Sequence, residues 1–396
     1  MNKFFLDLGK QPLANNYHSK FKPQQIKYRL KLYFNIKTKL VSISKRIPSK
    51  KMFNNEYPYR SSMSKTMQKS FQKLSAEIKR MFNPRLLLEI GSNDGALITN
   101  FDKKKVIGVE PCSNLAKITK KKGYVTYDSY WNLKLAKKLK NKYKKIDLIY
   151  SANTLTHTSN LNDVFSSIKK VLSEDGVLII EDPSLLECIK KTSYDQFYNE
   201  HIYVFSALSV KNILKKFGFE IFDIKNLSTH GGSLRYFIKK KNNKNIKIKK
   251  SVKKQIKDEI KFGLHKLSSY KKFALSTIYS KKKLIDIFSQ LKLSQKKIIG
   301  YGATAKATTI LNFCNLDNNF FEYFVDTTPD KANKFMPGKN IRILRYNKKL
   351  LKKIYYIFLG AWNFKKEIFN KEKKFLKSGG RFITHVPKPR IINKIN

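Results

Sequence analysis

Residues 86–95, LLLEIGSNDG, constrain this chain more than any others, because an apolar run ending in Glu-Ile-Gly reads as a buried strand breaking into a glycine turn. The next apolar run, VIGVEP, closes on Glu110, nineteen residues after Gly91, which suits an acidic side chain at the tip of a second strand holding a ribose diol. Gly91 permits a tight turn and close backbone approach, while Asn93, Asp94 and Gly95 supply polar groups and flexibility where a helix begins. The pair reads as a nucleotide-type cofactor site. It lacks the three-glycine G-x-G-x-x-G pattern expected for a dinucleotide pyrophosphate, and the bland alternative is an ordinary strand, turn and helix in some α/β protein. Later segments favour the cofactor site: DLIYSAN (147–153) and GVLIIEDP (176–183) look like the fourth and fifth strands of one doubly wound parallel sheet.

At 396 residues the chain has room for two or three domains with real cores. Its formal charge of +55 invites a nucleic-acid reading, but the basic residues are overwhelmingly Lys and scattered among Asn, Ile, Phe and Tyr, where base readout and bidentate phosphate binding would favour Arg. The densest tract, 239–254, reads as a solvated, partly mobile connector, and no specific nucleic-acid partner is expected. The cysteines, Cys112, Cys188 and Cys314, lie far apart without C-x-x-C spacing, and the six histidines show no close ligand spacing, so no metal site and no stoichiometric zinc are expected. No signal peptide and no apolar run near eighteen residues is visible; a cytoplasmic, membrane-free enzyme is the expectation.

Four segments follow along the chain. Residues 1–60 form a basic lobe without strong periodicity; 61–240 hold a helix over 64–81 (Met67, Phe71, Leu74, Ile78 at helical spacing) and the main sheet, ending in an apparent edge strand at 233–238. Residues 241–296 read as a basic helical connector, and 297–396 as a second α/β unit. There KIIGYGATAKATTILNFC gives strand, G-x-G-x-x-A turn (Gly300, Gly302, Ala305) and helix with Lys306 in its first turn, followed by a strand FEYFVD. Backbone N–H groups and a lysine at a helix N-terminus attract an anion, so a nicotinamide dinucleotide and a nucleotide-sugar diphosphate both fit.

Between the two units FYNEHIYVFS (197–206) gathers Tyr198, Glu200, His201 and Tyr203, and THGGSLR (229–235) adds His230 and Arg235. Asn153 and His157 follow the fourth strand, where open α/β sheets place their ligands. An imidazole beside a tyrosine and a glutamate is equipment for general acid–base chemistry; a structural role for each residue is the alternative.

EIGSNDG resembles motif I of S-adenosylmethionine (SAM) dependent methyltransferases, in which an acidic residue, here Glu89, can face the methionine ammonium. Beyond that motif, the series LDLGKQPLANNY, YPYRSS, LLLEIGSNDG, SANTLTHTSNLNDV, EDPSLLE, FYNEHIYVFS, THGGSLRYF, GYGATAKATTILN, VDTTPDK, LGAWNFKKEI and GGRFITHVPKP, in that order, resembles the three-domain bacterial sugar C-methyltransferases. The resemblance implies a SAM-dependent methyltransferase domain of Rossmann-like α/β fold, a small N-terminal zinc-binding domain, and a C-terminal Rossmann-like domain that helps hold a nucleotide-linked 4-keto deoxysugar without binding NAD. It implies His201 as base with Glu200 orienting it, Tyr198 and His157 near the sugar, and Tyr57 or Tyr59 capping the substrate. This chain departs from the family in lacking both C-x-x-C pairs, so its first sixty residues are expected to be held by packing on the SAM domain, to be partly disordered, or to belong to a decayed copy. A noncatalytic binder, a NAD-dependent oxidoreductase and a nucleic-acid methyltransferase remain the alternatives.

Overall fold

In the computed structural model, residues 1–44 and 46–393 are described. Strands β1 (Asn2–Gln11), β2 (Tyr28–Asn35) and β3 (Val41–Ile43) form an antiparallel sheet. In β2, YRLKLYFN, Leu30, Leu32 and Phe34 are buried while their neighbours are not, a period-two pattern that the sequence reading of this lobe overlooked. The buried face packs on the helix Leu267–Leu293, with the Phe34 and Tyr270 rings stacked at 4.3 Å. The lobe packs on that helix of the 241–296 segment and also pairs through β3 with Tyr203–Val204 of the 61–240 segment.

The central sheet begins with β4 (Leu87–Ile90), β5 (Val106–Val109), β6 (Val125–Tyr127), β7 (Ile146–Ala152) and β8 (Leu172–Pro183). Two-residue β9 (Tyr203–Val204) leaves it to pair with β3, stitching the N-terminal sheet to the centre, and β10 (Phe219–Leu227) and β11 (Ser233–Lys240) complete it. The order is β10-β11-β8-β7-β4-β5-β6, with β11 antiparallel to both neighbours and the other pairs parallel. All four residues of β4 and of β5 are buried, as both-face coverage of a parallel sheet requires. Helix Lys65–Met81 covers one face; the Ser64 hydroxyl accepts from Met67 N–H at 3.3 Å, and Met67, Phe71, Leu74 and Ile78 are buried as their spacing predicts. The strand expected at the edge, 233–238, lies inside the sheet. FEIFDIKNL, which the sequence reading passed over, forms β10 and takes the edge.

The lysine tract at 239–254 also differs from expectation. Lys239 is buried, donating from Nζ to Asn243 O at 2.6 Å, and helix Lys250–Phe262 starts within the tract. That helix buries Glu259, whose carboxylate accepts from Ala207 and Leu208 N–H at 2.8 and 2.9 Å, capping helix Ala207–Lys215 where its dipole favours an anion. Strands β12 (Ile298–Tyr301), β13 (Phe324–Asp326), β14 (Ile343–Arg345), β15 (Tyr356–Leu359), β16 (Arg381–Thr384) and β17 (Arg390–Ile392) form the third sheet in the order β14-β13-β12-β15-β16-β17, parallel except for β17. The GYGATAK turn and the helix Ala305–Cys314 follow β12 as predicted. No described helix is long and apolar enough to cross a membrane, and no three described His, Cys, Asp or Glu side chains are grouped to hold a metal ion.

Candidate active site

A cavity of about 600 Å³ lies where the carboxyl ends of β4, β5, β7 and β8 face the loop end of the third sheet, with segment 53–64, from the end of the N-terminal lobe into the start of the next segment, across it. Glu89, Gly91, Asn93, Glu110 and Asn153 line it at those strand ends. Gly91 has φ +77°, and a Cβ there would fall 2.0 Å from Thr154 Oγ1, so the loops after β4 and β7 touch through glycine's missing side chain. Glu110 is buried; its Oε2 accepts from Asn93 N–H and its Oε1 from Cys112 N–H, both at 2.8 Å. Burial pushes its carboxyl up, and those two N–H groups oppose the shift. Glu89 is buried with Oε2 unpartnered, and burial followed by the nearby Glu110 pushes its carboxyl well up. A buried acid with one oxygen unpartnered at the wall of a cavity suits a cationic ligand group, so the residues here fit SAM: Glu89 could face its ammonium and Glu110 its ribose.

Asp94 and Gly95 do not line the cavity. Asp94 accepts from Ser61 Oγ at 3.0 Å, from Ser62 N–H at 3.2 Å and from the Ser62 hydroxyl, anchoring the YRSS segment over the turn. Gly95 (φ +86°) packs on Thr119 instead. Their proximity to Gly91 in sequence misled, because the turn directs these two positions toward protein. Asn93 does both: it lines the cavity and its Oδ1 accepts from Ser61 N–H at 2.9 Å.

Tyr198, His201 and His157 meet on the opposite wall. Tyr198 Oη lies 2.5 Å from His201 Nε2, and His201 Nδ1 donates to Gln196 O at 2.7 Å, which leaves the Nε2 lone pair to accept from the phenol. His157 stacks on His201 at 5.2 Å and on Phe53 at 5.0 Å, its Nε2 unpartnered. Burial pulls His157 down to about 3; burial and then His157 pull His201 well below its ordinary range, so both rings are neutral near pH 7. Glu200 does not orient His201. Its two oxygens each accept from Asn15 Nδ2 at 2.9 Å, and Oε2 also accepts from Tyr57 Oη at 3.2 Å; burial raises its carboxyl to about 7. Adjacency of Glu200 and His201 in sequence does not bring their polar ends together, and the backbone of Gln196 does the orienting. Glu200 instead ties two N-terminal segments to the site.

Tyr57, Tyr59, His230, Gly302 and Lys306 also line the cavity. His230 Nε2 lies 3.2 Å from Asn153 Nδ2. Lys306 Nζ turns toward His230 O (3.2 Å) and sits 5.1 Å from the centre of the Trp362 ring; burial lowers its ammonium to about 8. Arg235 lies elsewhere. On β11 it points with Phe237 to the face under helix Lys65–Met81, where it pairs with Glu181 at 2.9 Å and Glu77 at 3.5 Å; strand alternation puts it opposite Leu234 and Tyr236. Asn15, Gln196 and Asp195 were not singled out from sequence. Asn15 stands in the QPLANNY segment and the other two directly precede FYNEH, so the motifs marked the right neighbourhoods.

This seven-stranded sheet, with an acid-tipped turn after its first strand and a second acid at the tip of the next, defines a Rossmann-like SAM-dependent methyltransferase. Residues 59–224 match the methyltransferase domain family, and 228–387 match the C-methyltransferase C-terminal domain family. The chain is 28% identical over 310 residues to C-methyltransferase NovU of Streptomyces niveus, across 78% of this chain and 74% of that protein. Among solved structures, a SAM-dependent methyltransferase from Anabaena variabilis aligns with TM-score 0.35 at 16% identity, over 43% of this chain and 84% of that one. Magnesium protoporphyrin IX methyltransferase from Synechocystis with bound SAM aligns with TM-score 0.32 at 15% identity, over 43% and 78%. Both parts of the chain thus match methyltransferase domains, and the chain is a SAM-dependent C-methyltransferase.

Proposed function

We propose that this C-methyltransferase acts on a carbon adjacent to the ketone of a nucleotide-linked 4-keto deoxysugar, through base-assisted enolate formation. The observation that carries the reading is the Tyr198 and His201 pair on the wall of a cavity that also touches Glu89, Glu110 and, across it, the glycine turn at Gly302. A ketone acidifies the neighbouring C–H. The proton passes to the Tyr198 oxygen as the phenol proton moves to His201 Nε2, and the C–H electron pair becomes the enolate. His201 is the final acceptor. In a buried site an isolated imidazolium is costly, but here it forms together with the enolate, so each charge offsets the other. The unpartnered Nε2 of His157 is assigned to the ketone oxygen. Glu89, Gly91, Asn93 and Glu110 hold SAM, which supplies the electrophilic methyl that the enolate carbon takes up as sulfur departs.

Tyr57 and Tyr59 close the sugar side from the N-terminal lobe, and the turn at Gly302 with Lys306 faces the nucleotide. The three thiols are free and buried, which suits a reducing cytoplasm. Mass spectrometry of SAM incubated with a panel of 4-keto-6-deoxysugar nucleotides tests the reading. A product heavier by one methylene, with the label on carbon, is expected; labelling of RNA or DNA in preference to every sugar nucleotide overturns it.

A further inference from the structure

One buried charge cluster has no part in the steps above. Asp195, in the turn Tyr194–Gln196 just ahead of FYNEH, is fully buried. Its Oδ2 accepts from Trp362 Nε1–H at 2.5 Å, and its Oδ1 lies 3.2 Å from His385 Nε2, close enough for an ion pair though not aligned as a hydrogen bond. Trp362 follows β15 and His385 follows β16, so both belong to the third sheet's unit. Tyr194 packs edge-on against the His385 ring at 5.5 Å. Burial pushes the Asp195 carboxyl up, but His385 and Lys306 outweigh it and hold the group below its ordinary range.

The same turn is tied down a second time. Gln196 Nε2 donates to His230 O at 2.7 Å, and that carbonyl also accepts from Lys306 Nζ at 3.2 Å. The backbone carbonyl of Gln196, one residue from Asp195, is the acceptor for His201 Nδ1–H. A neutral imidazole carries its proton on either nitrogen, and its other hydrogen bond selects which. Moved to Nε2, that proton would meet the Tyr198 phenol with no lone pair to accept from it.

We propose that Asp195 is a positioning residue: clamped by Trp362 and His385 of the C-terminal unit, it holds the Gln196 carbonyl against His201 and keeps the imidazole proton on Nδ1. The proposal rests on the assignment of Tyr198 and His201 as the proton-accepting pair. It makes the C-terminal unit part of the proton-transfer apparatus as well as a wall of the cavity, because its docking sets the tautomer of a histidine in another domain. Buried carboxylates are retained only where partners compensate them, and here the partners come from across a domain boundary.

The test uses the full chain and three substitutions. Trp362→Phe removes the donor and keeps the ring; Asp195→Ala removes the acceptor; Asp195→Asn keeps an oxygen for the indole. Nitrogen-15 NMR of the histidine side chains in the presence of S-adenosylhomocysteine reads the tautomer directly, with the His201 signals identified by their loss in His201→Asn. The wild type is expected to show the Nδ1–H form, Trp362→Phe and Asp195→Ala a mixture, and Asp195→Asn most of the wild-type pattern. On the sugar nucleotide that the wild type methylates, kcat should fall about 10²-fold in the first two with KM within about twofold, since small misplacement of a catalytic group costs that much. An unchanged Nδ1–H signal in folded Trp362→Phe or Asp195→Ala overturns the proposal. The readings separate cleanly: if His201→Asn leaves exchange of the substrate's α-hydrogen unaltered while the tautomer responds to Trp362→Phe, the base assignment fails and the clamp stands.

Discussion

Replacing Glu110 by alanine strips one carboxylate of two duties, and the structure sets the size of each. The carboxylate accepts from Asn93 N–H and Cys112 N–H at 2.8 Å, and the Cys112 bond is buried. Losing charge-assisted bonds and stranding at least one buried donor costs about 2–4 kcal/mol, the half-buried Asn93 donor recovering part by bonding water. At roughly 2–4 °C per kcal/mol for a domain of this size, Tm should fall by about 4–16 °C. The second duty is the one proposed for it, to the ribose of SAM: removing a charged hydrogen-bond partner there costs about 1.5–3 kcal/mol, or a rise in Kd of about 10–150-fold. Glu110→Gln, with one acceptor oxygen left and an amide forced against the other N–H, should fall between. Scanning calorimetry gives the first quantity, and isothermal calorimetry well below the variant's Tm gives the second. If Tm falls while SAM affinity stays at the wild-type value, Glu110 only braces the loop and the ribose assignment is wrong.

Gly91→Ala should weaken SAM binding about 5–150-fold, since a left-handed φ costs an alanine roughly 1–3 kcal/mol and its Cβ would overlap Thr154. Trimming Thr154 in the same chain should recover only part of that affinity by calorimetry, and full recovery would remove the backbone-strain argument. Glu200 titrates near 7 in the folded chain against an ordinary 4.5, so the wild type loses stability as pH rises between those values, by up to about 3 kcal/mol. Glu200→Gln should flatten that slope in urea unfolding followed from pH 4.5 to 8; equal slopes would show that another group is responsible. His201→Asn should leave SAM binding within about twofold and slow wash-out of the substrate's α-hydrogen into D2O by about 10²–10⁴. An unslowed exchange would remove His201 from the proton path.

Local signals in the sequence located most of the elements that build the site. The run LLLEIGSNDG, the acid after VIGV and the G-x-G-x-x-A turn depend on backbone conformation and strand burial within a few residues, so they could be read without knowing what lay opposite. The N-terminal strands were harder, because β2 has only three buried residues over eight positions and its burial depends on Tyr270, far along the chain. FEIFDIKNL was passed over beside the stronger SLRYFI pattern, which inverted edge and interior in the central sheet.

What the sequence determined by itself is the set of site turns, the strands and helices that flank them, and the chemical identity of the groups near each strand end, since these follow from short-range periodicity and conformational preference. Only the tertiary structure decided which polar ends meet. Glu200 sits beside His201 in the chain yet serves Asn15 and Tyr57, and Arg235 follows a site turn yet serves Glu181 and Glu77. Asp195, with no motif of its own, is met by Trp362, 167 residues further along the chain, and by His385 beyond it. A buried charge must find compensation wherever the packed chain supplies it, and direction in space, set by strand alternation and by the docking of three sheets, has no counterpart in sequence distance.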